Sequence, residues 1–166
     1  MYRKVSYLAL AVFISGCGSD DDVSTVCNLP ANVAATKPAD IYQQNDDGTV
    51  TDLQTGLIWS RTLTEGNVTW QKALELAKDS DVFGHSDWRL PNVTELASLV
   101  DTACDDFKIN TSAFPKTGTG SYVSSTGSSV DNFVTVVQVS FLTGEITSVN
   151  AATGLGLVRL VRGGQQ

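Results

Sequence analysis

The sequence predicts an α+β domain with two helices and antiparallel β-strands. Three observations carry that expectation. The chain from Ile41 opens with short apolar runs separated by turn residues. Two segments of helical periodicity follow, between Thr69 and Val100. Alternating apolar and polar residues then return from Phe133 onward. Strands, then helices, then further strands are the pattern of segregated α and β elements rather than of a wound parallel sheet.

The first 40 residues stand apart from that pattern. Arg3 and Lys4 precede an apolar run from Val5 to Ile14, closed by Ile14-Ser15-Gly16-Cys17. A basic start, a short apolar stretch and small residues at its end are the layout of a bacterial secretory leader. The run has ten residues, whereas a spanning helix needs about 20. The tetrapeptide resembles a lipobox, the processing motif of bacterial lipoproteins. That resemblance implies removal of residues 1–16 and a lipid-bearing Cys17 as the new N-terminus. An ordinary cleaved leader is the alternative. Residues 17–40, with their Asp20-Asp21-Asp22 run, are expected to form an acidic flexible tether, and 41–164 the folded domain. Gly18, rather than aspartate, follows Cys17. By analogy with enteric bacteria this implies the outer membrane, its face left open.

The chain has 18 acidic and 11 basic residues. Arg3 and Lys4 leave with the leader, so 9 basic residues remain against 18 acidic, a formal charge of −9. That argues against nucleic acid or anionic lipid as a partner held by bulk electrostatics. Contact with the membrane would come through the N-terminal lipid alone. With Cys17 assigned to lipid, Cys27 and Cys104 form one disulfide or remain two buried thiols. A bridge would close a loop of roughly 77 residues, worth up to about 4–5 kcal/mol on the chain-entropy model.

Ile41-Tyr42-Gln43 reads as a strand and Asn45-Asp46-Asp47-Gly48 as its turn, since Asp-Gly supplies positive φ. Thr49-Val50-Thr51 returns, Leu53 to Gly56 turns again, and Leu57-Ile58-Trp59 completes a meander. Thr69 can cap a first helix whose face is Trp70, Ala73, Leu74 and Ala77, at i, i+3, i+4 and i+7. Asn92 and Glu95 make a capping box for a second helix, with Val93, Leu96 and Val100 as its buried stripe and Leu99 at the edge. Residues 105–130, rich in Ser, Thr and Gly, read as a long loop region with short strands. Phe133 to Phe141 alternates as a strand, Thr143-Gly144 turns, and Glu145 to Asn150 returns. Leu155 to Val161 is expected to be one final apolar strand.

Several of these residues together resemble a known family. They are Asp47 to Asp52, Thr55-Gly56-Leu57-Ile58-Trp59, Ser86-Asp87-Trp88-Arg89-Leu90-Pro91-Asn92, Glu95-Leu96 and the closing Val158 to Gly163. The segments, in this order, are similar to the C-terminal domain family of the Legionella collagen-like protein, a domain of unknown function. The resemblance spans about residues 41–164. An Arg-Leu-Pro signature also occurs in formylglycine-generating enzymes, so the resemblance implies a C-type-lectin-like fold. Family members often carry a cysteine late in the first helix and another in the closing strand. Ala77 and Leu160 stand there in this chain, which implies that any disulfide has moved to Cys27 and Cys104.

The residues with chemistry are few. Trp88 and Leu90 are expected to enter the core, and Arg89 to pair with Asp87 or Glu95 or to bond loop carbonyls. Pro91 would set the entry to the second helix. Trp88 and Arg89 as ligand contacts are the alternative. Asn45, Asp46, Asp47 and Asp52 could offer oxygens to calcium, but the distal Glu of a calcium loop is missing and a hairpin turn explains them better. His85 is the lone histidine, and its adjacency to Ser86 and Asp87 does not make a triad. The sequence therefore names no catalytic residue, no metal ligand and no cofactor. Tyr122, Ser124, Ser125 and Thr126, in the hydroxyl-rich stretch, are the expected ligand-contacting residues, the alternative being a merely solvated loop. The expected function is a non-enzymatic, lipid-anchored binding module of the cell envelope, recognising a glycan or a surface protein. A structural subunit of an envelope or fimbrial complex is the second reading and an unusual enzyme the third.

Overall fold

The computed structural model describes residues 41–104, 106–130 and 133–164. The leader, Cys17, the tether and Cys27 lie outside the described residues, and so do the expectations placed on them.

The opening meander forms where the turn chemistry puts it. β1 (Tyr42–Gln44), β2 (Thr49–Asp52) and β3 (Ile58–Ser60) pair antiparallel, Tyr42 opposite Asp52 and Val50 opposite Trp59. Gly48 and Gly56 hold the two turns at φ +86° and +72°, conformations that cost a side chain about 1–2 kcal/mol. β4 (Glu65–Thr69), with no alternation of its own, leads directly into α1 (Trp70–Lys78). α2 (Val93–Ser98) follows, then β5 (Ser121–Val130), β6 (Phe133–Ser140), β7 (Ile146–Asn150), β8 (Leu155–Val158) and β9 (Val161–Arg162).

The strands make two sheets. One has the order β1-β2-β3-β9 and the other β4-β8-β5-β6-β7. Every pairing is antiparallel except β5 with β8, which run parallel at Tyr122 and Leu157. The α+β class therefore holds, with one mixed sheet.

Several expectations need correction. Residues 121–130 are a full ten-residue strand, not a loop. Pairing with β6 and β8 supplies the order that a hydroxyl-rich sequence does not announce. The last apolar run is two strands, because the chain leaves one sheet at Arg159-Leu160 and joins the other. Thr69 occupies the N-cap of α1 but its side chain makes no cap bond, since its backbone is still paired with Leu155 as the end of β4. Leu74 is exposed, because only Ala73 and Ala77 approach the sheet closely enough to be buried.

Two buried clusters fill the interior. One joins Val50, Trp59, Leu96, Leu99, Ile109, Phe114, Tyr122 and Phe141; the other joins Ala73, Ala77, Trp88, Leu90, Val136, Val158 and Leu160. Leu99 is fully buried rather than marginal, because it still has αR conformation as the C-cap and falls three residues after the buried Leu96.

Arg159 ties the sheets together from inside. It is fully buried. One terminal nitrogen donates to the carbonyls of Ser60 and Arg61 at 3.0 and 3.1 Å, and the other to the Thr117 hydroxyl at 3.3 Å. The guanidinium lies 4.8 Å from the Phe114 ring centre and 5.4 Å from that of Tyr122. Burial pushes its pKa down, against the pull of Tyr122. Carbonyl dipoles and two aromatic rings thus do the work that a carboxylate performs in an ordinary buried ion pair.

A candidate ligand groove beside the Asp87–Pro91 segment

Residues 87–95 build one edge of a groove, and period-2 alternation explains how. Trp88 and Leu90 point inward and are buried. Between them Arg89 exchanges both backbone hydrogen bonds with Val161, at 2.9 and 3.1 Å. The Trp88 indole donates to the Val82 carbonyl at 2.8 Å. Pro91 then accepts from the Ser125 amide at 2.7 Å, locking the helix entry onto β5.

The capping box is present in full. Asn92 Oδ1 accepts from the Glu95 amide at 2.9 Å, and Glu95 Oε2 accepts from the Asn92 amide at 2.8 Å. Glu95 also takes a two-pronged bond from Arg89, at 2.8 and 2.7 Å, while Arg89 donates further to Gly163 at 2.9 Å. Glu95 is thus the partner of Arg89, and Asp87 instead accepts from Arg162 Nε at 2.7 Å. Burial raises the Glu95 pKa, but the bonds from Arg89 and Asn92 outweigh it and the net direction is down. Asp87 is lowered by its bond from Arg162. Asp87, Arg89 and Glu95 therefore clamp the closing strand to α2.

The groove measures about 500 Å³ and is lined by Leu74, Ala77, Lys78, Trp88, Arg89, Leu90, Asn92, Glu95 and Ser125. Among the described residues the Lys78 ammonium, the Asn92 side-chain amide N–H groups and the Ser125 hydroxyl make no hydrogen bond. These are donors placed on a rigid frame, next to the apolar surface of Leu74 and Leu90, the ordinary composition of a small-ligand site.

The four residues expected to touch a ligand part company. Tyr122 is buried, accepting from the Gly118 amide at 2.9 Å with its ring against Phe141. Ser124 is buried and donates to the Val137 carbonyl at 2.7 Å. Thr126 accepts from the Val93 amide at 3.0 Å, a second cap on α2. Only Ser125 of the four lines the groove. Tyr122, Val123 and Ser124 are buried in succession, and the pairing with β6 slips between Val123 and Gly127, so Ser125 and Thr126 lie in an irregular stretch of β5 that departs from simple alternation.

The turn carboxylates are spent locally. Asp47 accepts from the Thr49 hydroxyl at 2.7 Å and its other oxygen meets His85 Nε2 at 2.9 Å. The Thr49 and His85 bonds bring its pKa down to about 2. Asp52 accepts from the amides of Gln54 and Thr55. His85 accordingly fastens the first turn to the loop before Asp87, with its ring 6.2 Å from Trp88.

Ala77 and Leu160 both belong to the second buried cluster, in the region where the resemblance places two cysteines. The family model of the Lcl C-terminal domain matches residues 48–162. No curated protein matches the chain. The match takes in β2 and β3 of the meander, both helices, the Asp87–Pro91 segment and the closing strand, and the chain belongs to the Lcl C-terminal domain family.

Proposed function

We propose that this chain is a non-enzymatic binding module of the bacterial cell envelope, anchored by lipid on Cys17 and recognising a glycan or a surface protein through the groove beside Asp87–Pro91. The observation that carries the reading is the groove itself: about 500 Å³, with three donors uncommitted among the described residues and a wall held by the Arg89–Glu95 clamp. A C-type-lectin-like fold, implied by the Arg-Leu-Pro resemblance, supports it by analogy only. A glycan array probed with residues 18–166, with calcium and with chelator, tests it. Reproducible binding of one glycan class is the expected result. A blank array with folded protein would leave a protein ligand, to be sought by pull-down from the native envelope. Labelling with a palmitate analogue tests the anchor: incorporation is expected in the intact chain and not in Cys17→Ala.

A structural role in an envelope assembly has its own support. Phe133, Ile146 and Leu155 are 68, 54 and 55 % exposed on the second sheet. Large apolar side chains left in solvent can be buried by a partner. Stable co-purification with a stoichiometric partner would favour that role.

A further inference from the structure

We propose that the groove beside Asp87–Pro91 is one of two subsites on a continuous track, and that the track takes a neutral saccharide chain of several units rather than a single sugar. The proposal rests on the binding-module reading above. Its independent observation is a second groove of about 390 Å³ at the start of α1, lined by Thr69, Trp70, Gln71, Val134, Ala151 and Ala152.

Trp70 is the fixed point of this second groove. Its indole N–H donates to the Ser124 carbonyl at 3.0 Å. The ring lies against Gly127, where an added Cβ would stand 3.6 Å from Cη2 and Cζ2 and 3.0 Å from the Thr135 carbonyl oxygen. Glycine there lets the strand pass close beneath the indole. The half-buried ring is therefore oriented before any ligand arrives. A rigid aromatic surface loses little conformational entropy on binding, and its electron-rich face suits the C–H groups of a sugar ring. Thr69 and Gln71, on either side of it, supply a hydroxyl and an amide.

No residue lines both grooves, but both lie along α1. Trp70 and Leu74 are four residues apart on α1 and so lie on one face of it. Leu74, Ala77 and Lys78 wall the first groove. On the sheet side, Ser124 holds Trp70 while Ser125, the next residue, lines the first groove. From Trp70 to Lys78 the helix axis advances roughly 12 Å at 1.5 Å per residue, further than one sugar ring reaches.

Charge selects the kind of chain. The protein carries a formal −7, which repels polyanions at range. In the first groove Arg89 is neutralised by Glu95, and the second groove is lined by no charged residue. What remains is aromatic surface, hydroxyls, amides and a single ammonium, a set matched to uncharged hydroxyl-rich ligands.

The test is calorimetric titration of the full chain in detergent with neutral oligomers of glucose and of N-acetylglucosamine, one to six units long. In at least one series, affinity is expected to rise tenfold or more between one unit and six. Val134→Trp, at an exposed position on the wall of the second groove, should abolish that gain. Ser125→Trp should weaken all lengths. Affinity independent of length overturns the proposal, as does a Val134→Trp chain that binds six units like the wild type. Absence of binding in both series also overturns it. If an acidic glycan or a protein then binds the same folded sample, the binding-module reading survives without the neutral track.

Discussion

Replacing Glu95 with alanine removes three hydrogen bonds at once: two from the Arg89 guanidinium and one from the Asn92 amide. The cost is calculable in order of magnitude. Loss of the reciprocal cap is worth about 1 kcal/mol. Breaking one side of a fully buried ion pair costs about 3–5 kcal/mol, and of an exposed pair about 0–1 kcal/mol. The Arg89 and Glu95 side chains are 24 and 14 % exposed. They sit between those limits, at about 2 kcal/mol. Together the loss is about 3 kcal/mol, a sizeable part of the 5–15 kcal/mol that stabilises a typical domain. Urea unfolding followed by tryptophan fluorescence measures it, and a double-mutant cycle with Arg89→Ala should return about 2 kcal/mol of coupling. The pH dependence has a defined sign. The folded pKa of Glu95 is depressed, so its contribution is fully present above the unfolded carboxyl value of about 4.3. The contribution is lost as pH falls through the lower folded value. Glu95→Gln should flatten the stability profile in that acid window. A loss under about 1 kcal/mol with no coupling to Arg89 would refute the clamp.

Further outcomes follow from other contacts. Arg159→Lys should destabilise by about 2–3 kcal/mol despite keeping the charge, because a lysine cannot span the Ser60 and Arg61 carbonyls and Thr117 together; thermal unfolding checks it. Gly48→Ala should cost more than Gly56→Ala. Both sit at positive φ, which costs about 1–2 kcal/mol, but at Gly48 the new methyl would also stand 2.8 Å from the Phe83 ring, whereas at Gly56 it meets nothing within 4 Å. If Cys27 and Cys104 form the one disulfide that the sequence allows, intact mass will rise by about 2 Da on reduction. Cys104→Ser should then lower stability by up to about 4 kcal/mol.

Legibility in the sequence followed the strength of local chemistry. Asn45 to Gly48 and the Asn92–Glu95 pair carry backbone instructions within four residues, and both formed as expected. The Trp88–Leu90 alternation was equally local. β5 was not legible, because Ser121 to Val130 is mostly hydroxyls and glycine, and its order comes from β6 and β8. That one miss displaced the expected site: the composition around Tyr122 and Ser124 reads as loop, yet strand pairing turns them inward and leaves Ser125 outside. The break at Arg159-Leu160 was hidden for the opposite reason. Val158 to Val161 are all buried, arginine included, so no alternation marks where one sheet ends and the next begins. The role of Trp70 in a groove was also invisible, since it depends on Gly127, more than fifty residues away.

The most direct test of the account is a glycan array run in parallel on the wild-type chain and on Ser125→Trp, whose exposed position fills the groove beside Asp87–Pro91 without touching the core. The wild type should bind a defined glycan class, and the variant, with an unchanged unfolding transition, should bind none of it. Undiminished glycan binding by the folded variant would contradict the account and move recognition to another face.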